Sequence, residues 1–125
     1  MSNAKLIGIA PQLIVNNVVN TAEYYRDVLG FRIINFAGEP PVYAMVERDG
    51  FQIHFSGTAK TTITPNHRLK KDSVDFILWV PEIDSFYEEV KSRNAEIVQQ
   101  IVKREYGSRE FIISDSDGHT ILVGD

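Results

Sequence analysis

Few side chains in this 125-residue chain are equipped to break bonds. Three histidines and no cysteine are present, which excludes thiolate nucleophiles, disulfides and cysteine-held zinc or iron–sulfur centres. His54 sits in a β-type run, His67 in a long irregular stretch, and His119 directly after Asp117-Gly118. The last two read as a loop residue and a turn residue. Ser114 and Ser116 lie beside acids, yet no Gly-x-Ser-x-Gly elbow surrounds them and no histidine partner follows from the spacing. Phosphate-loop and dinucleotide glycine patterns are absent. The chemistry left is recognition by polar groups set among apolar ones.

The elements that must carry these residues follow from periodicity. Leu6 to Val15 reads as a strand with Leu13 and Val15 on one face and Gln12 and Ile14 on the other. Pro11 makes it an edge or a bulge. A helix follows, capped by Asn20 with Glu23 three residues on. Its apolar stripe is Val18, Ala22, Tyr25 and Leu29, and Gly30 supplies a left-handed stop. Strands are expected at Phe31 to Ala37, Val42 to Glu47 and Phe51 to Phe55, the last two joined by Asp49-Gly50. Residues 57–72 lack periodicity and form a crossover. The order then repeats: a strand at Val74 to Val80, a helix with Ile83, Phe86 or Tyr87, and Val90 inward, and strands at Glu96 to Lys103, Arg109 to Asp115 and His119 to Val123. This predicts an α+β fold of two βαβββ modules, about 6–56 and 73–125, within one domain spanning 1–125. The helices cover the outer faces and the sheets curve around a cavity.

Bulk properties narrow the partners. The chain is 43% apolar and 24% charged with a net charge of -4. An acidic balance argues against nucleic acid, which needs a basic surface to displace counterions. The one basic cluster, His67-Arg68-Leu69-Lys70-Lys71, reads as a solvated loop. No apolar run reaches the length of a membrane span, and no leader is recognisable, so a cytoplasmic location is expected.

Leu13-Ile14-Val15, Tyr24 to Phe31, Tyr106 to Phe111 and Asp115 to His119, together with the duplicated layout, resemble the vicinal oxygen chelate superfamily. It includes glyoxalases, bleomycin-binding resistance proteins and extradiol dioxygenases. The resemblance implies a homodimer and, in the enzymes, a divalent metal held by four strands. Counted from the motifs, those ligand positions fall on Ala10, His54, Asp75 and Leu122. Ala10 and Leu122 have no donor, and a catalytic site needs about three protein ligands. No cofactor is therefore expected. If a metal binds, the set implied is His54, Asp75 and Gln12.

Strand alternation places Gln12, Ile14, Gln52, His54, Asp75, Ile77, Trp79, Thr120 and Leu122 on the inner faces, with Tyr43 or Phe36 reaching in. Such a mixed surface suits a small organic molecule. The candidate ligand-binding residues are Gln12, Gln52, His54, Asp75, Trp79 and Arg109. His54 is expected to bond Asp75 or water. Trp79 serves either the cavity, a subunit contact or plain packing. Arg109 pairs with an anionic ligand or with Glu110 or Glu105. The function expected is metal-free binding of a partly aromatic molecule. The alternatives are a metal-dependent lyase, isomerase or dioxygenase, and a regulatory scaffold.

Overall fold

The computed structural model describes residues 2–125. Strands β1 (Gln12–Val15), β2 (Arg32–Ala37), β3 (Tyr43–Arg48) and β4 (Phe51–Gly57) form one sheet in the order β1-β4-β3-β2. Strands β5 (Phe76–Trp79), β6 (Glu96–Lys103), β7 (Arg109–Ser114) and β8 (Thr120–Gly124) form a second in the order β5-β8-β7-β6. In each sheet the first strand runs parallel to the last and the other pairs are antiparallel. This is the duplicated βαβββ arrangement that the periodicity predicts.

Helix α1 (Val18–Asp27) packs on β2, β3 and β4 of the first sheet. Helix α3 (Ile83–Ser92) packs on β6 and β7 of the second. The α1 stripe Val18, Ala22, Tyr25 and Leu29 is buried against Val15, Val46 and Phe55. Ile83, Phe86 and Val90 of α3 are buried with Phe111 and Ile113, and the two sets join in one apolar core. Removing this surface from water is the main drive for both helices, because neither is long enough to be stable alone.

Several expectations are corrected. The cap of α1 is Asn17, whose Oδ1 accepts from the Asn20 N–H at 3.0 Å, so the helix starts one turn earlier than Asn20 suggests. Gly30 does close the helix with φ 74°. A short helix, α2 (Asn66–Leu69), interrupts the crossover. The first strand pairs only over Gln12–Val15, and residues 3–11 run without any strand partner. Periodicity cannot see this, because it reports how a segment would sit in a sheet and not whether a neighbour is there.

Two seams join the modules. On one side α1 meets the β7–β8 turn, where the Tyr25 hydroxyl donates to Asp115 and that of Thr21 to Asp117, both at 2.7 Å. On the other, the Arg48 guanidinium bridges Glu89 of α3, at 2.8 Å, and the Leu29 carbonyl, at 2.7 Å. Among the described residues no helix is long and apolar enough to cross a membrane.

Candidate functional site

Since the helices take one face of each sheet, the other face is left open. On the first sheet that face carries one continuous hydrogen-bond chain. Gln12 Nε2 donates to the Tyr43 hydroxyl at 3.0 Å. The hydroxyl lies 2.8 Å from His54 Nδ1, and His54 Nε2 lies 2.8 Å from Gln52 Oε1. A carbonyl oxygen only accepts, so Nε2 carries the ring proton and Nδ1 accepts from Tyr43. The register explains the assembly. Gln12 is the direct neighbour of His54 across β1 and β4, and Tyr43 lies one residue pair away on β3. Sequence alternation brings Gln12, Gln52 and His54 to this face, and of the two aromatic candidates it is Tyr43 that links them. The chain ends in exposed amides, and Ile14 beside it is exposed.

The open face of the second sheet is aromatic and aliphatic. Ile77 faces Leu122, and Trp79 faces Gly124. Trp79 is 68% exposed, which decides against core packing. Its ring lies over Gly124, where an added Cβ would come within 2.8 Å of the indole. The glycine is what lets the ring lie flat. On the far side of Gly124 stands Glu110, 4% exposed, which sequence reasoning named only as a surface partner for Arg109. Its oxygens accept from Arg104 Nε and from the Tyr106 hydroxyl, each at 2.7 Å. A buried carboxylate without such partners would be strongly disfavoured. The signal was available: Phe111 and Ile113 point to the core, which turns Glu110 to the opposite face.

Two candidate residues are committed elsewhere. Asp75 does not bond His54. Its Oδ1 accepts from the Asn66 N–H and its Oδ2 from the Thr120 N–H, at 3.1 and 2.9 Å, so it fastens the crossover to β8. Arg109 pairs with Asp84 at 3.0 Å and Asp125 at 3.2 Å, and not with Glu110 or Glu105. A carboxylate preceding a strand and an arginine at a strand start have the same appearance in sequence whether they bind a ligand or lock a loop.

A groove of about 640 Å³ runs between the modules, with Phe31, Phe51, Ile53, Phe76, Leu78 and Phe86 among its walls. Gln52 and Trp79 stand on its lining, while Gln12, His54, Asp75 and Arg109 lie outside it.

The residues present do not fit a metal on the open faces. Both ring nitrogens of His54 are engaged, both oxygens of Asp75 are held by backbone N–H groups, and Ala10 and Leu122 offer no donor. Among the described residues, the acid and imidazole side chains that do converge are Asp115, Asp117 and His119, within 4.8 Å of one another. These belong to the seam with α1. Asp115 accepts from the N–H groups of Asp117 and His119, from the Tyr25 hydroxyl and from His119 Nδ1. That set is a locked turn, and no reaction step is derived through a metal. Burial opposes the charged imidazolium of His119, but the bond to Asp115 and the surrounding acids outweigh it and raise its pKa above 6.5. Burial and the Asp115 charge push the Tyr24 hydroxyl up to about 12 and that of Tyr25 well above its ordinary value.

Paired βαβββ sheets with open polar and aromatic faces define a class. The sequence profile of the Glyoxalase/Bleomycin resistance protein/Dioxygenase superfamily matches residues 8–123, and the chain belongs to that superfamily. Its members often bind a divalent metal, and commonly bind small molecules and form dimers. Solved structures share the fold at low identity. The bleomycin resistance determinant encoded on transposon Tn5 is 18% identical, with 96% of this chain and 98% of that one covered and a TM-score of 0.77. TioX from Micromonospora sp. ML1 is 18% identical over 94% and 96%, at 0.75. A glyoxalase-related enzyme from Clostridium phytofermentans is 15% identical over 99% and 98%, at 0.77. No curated protein matches the chain.

Proposed function

We propose that this chain, as one domain spanning 1–125, binds a small, partly aromatic organic molecule on its open sheet faces without a catalytic metal, in a cytoplasmic homodimer. The observation that carries the reading is the Gln12–Tyr43–His54–Gln52 chain. It fixes the direction of every polar group on a face that no other part of the chain covers. The exposed indole of Trp79 offers the aromatic contact, and a second copy closes the space. Arg104–Glu110 and Arg32–Glu47 neutralise the charges on these faces, so the molecule favoured is uncharged and carries amide- or carbonyl-type groups.

The test is a thermal-shift screen of uncharged planar aromatics, with and without divalent metal. Binders are expected to raise the midpoint of the native protein and quench Trp79, its only tryptophan. His54→Ala is expected to weaken such a binder roughly tenfold, the worth of about one hydrogen bond, with the ligand-free midpoint nearly unchanged. A variant that unfolds readily while binding normally would make His54 structural. Stoichiometric zinc, nickel, manganese or iron in purified protein would favour the lyase, isomerase or dioxygenase reading.

A further inference from the structure

Residues 5–11, Lys5-Leu6-Ile7-Gly8-Ile9-Ala10-Pro11, form an apolar run with no partner. Leu6, Ile7 and Ile9 are 96%, 101% and 90% exposed. A continuous apolar run of this kind belongs in a strand buried on both faces, and three adjacent large aliphatic side chains in water mark an interaction surface. A vacant place of the same kind lies on the same molecule. Strand β5 ends its sheet, and among the described residues nothing pairs with its other edge. The apolar groove follows that edge over Phe76, Ile77, Leu78, Trp79 and Val80.

We propose that residues 5–11 are an arm which a second copy of this chain receives in its groove along β5, each copy giving one arm and taking one. The inference rests on the reading that a second copy completes the site, and it names the segment that does so. Length agrees: seven extended residues span about 23 Å, enough to cover a four-residue edge of about 13 Å. Charge agrees as well. Lys5 leads the arm, and the groove carries Glu82, which has no ion-pair partner among the described residues. The arm's own root, Ile9 to Pro11, lines the groove of its own copy. From there residues 3–11 run without a turn, and a chain that does not reverse cannot fold back into the groove it borders. A two-fold pair solves this, because the same two patches meet twice and the assembly closes. Adding a strand also covers an edge that would otherwise recruit other chains.

Light scattering and sedimentation near 10 µM on the full chain test the proposal. The native chain is expected to be a dimer. Removing residues 2–9, or making Leu6→Ser with Ile9→Ser, is expected to weaken association about a hundredfold or more while leaving the far-UV circular dichroism unchanged. The chain has no cysteine, so a population carrying Ile7→Cys mixed with one carrying Ser85→Cys is expected to give a mixed disulfide-linked pair. A monomeric native chain would overturn the proposal, as would a dimer of unchanged strength without the arm, or a monomer in which both cysteines in one chain join internally. The two readings fail separately. If the arm variants remain dimers and still respond to binders from the screen, the arm assignment falls and the binding reading stands. If they dissociate while no compound shifts the native protein, the binding reading falls and the arm stands.

Discussion

At the scale of single residues, what decides a role is which neighbour a polar group has already taken. His54 and Asp75 look equivalent as donors in the sequence. In the structure one belongs to a chain of side chains on an open face, and the other is held by two backbone N–H groups. Alternation correctly placed Gln12, Gln52, His54 and Trp79, because the side-chain direction in a strand is fixed by its period of two. It could not assign Asp75 and Arg109, whose partners come from residues 9 to 45 positions away. Trp79 and Gly124 offer a test at this scale. Gly124→Ala puts a Cβ within 2.8 Å of the indole, so the ring must lift. A change in tryptophan emission is expected with a stability loss of about 1 kcal/mol, typical of a modest steric mismatch. Unchanged emission would mean that the ring does not rest on the glycine.

For whole elements, the sequence named every strand and both long helices but misjudged where pairing begins. Helix α1 shows why. Asn17 and Asn20 both suit a cap, and both stand before the apolar stripe. The backbone settles it, with Asn17 extended at φ -135° and accepting from the Asn20 N–H. Asn17→Ala is expected to cost about 1 kcal/mol in urea denaturation, and Asn20→Ala only a few tenths. The reverse order would restore Asn20 as the cap. The shortened β1 has a different cause. Residues 5–11 have the composition of a strand, but a strand needs a neighbour, and the adjacent β4 begins only at Phe51.

In the whole molecule, the seam between α1 and the β7–β8 turn couples the two modules through Asp115. His119 has a raised folded pKa because Asp115 and the nearby acids outweigh its burial. The sign follows: the stabilisation from this ion pair is complete below about pH 6.5, the unfolded value, and is lost as pH rises through the higher folded value. The urea midpoint is expected to fall over that range in the native protein, and His119→Gln should flatten the fall. A second loss is expected above about pH 10, where unfolded Tyr24 ionises while the folded residue keeps its proton until about 12. By itself the sequence determined the duplicated strand and helix order, the stripe each helix buries and the side of each strand that faces away from the helices. These are local consequences of period, and the chain carries them at every position. Only the tertiary structure decided that His54 pairs with Tyr43 and Gln52, that Glu110 is buried, that the Asp115 turn is a lock between modules, and that residues 5–11 stand unpartnered. Each of those depends on contacts between segments far apart in the chain, and no short-range pattern encodes which distant group will arrive.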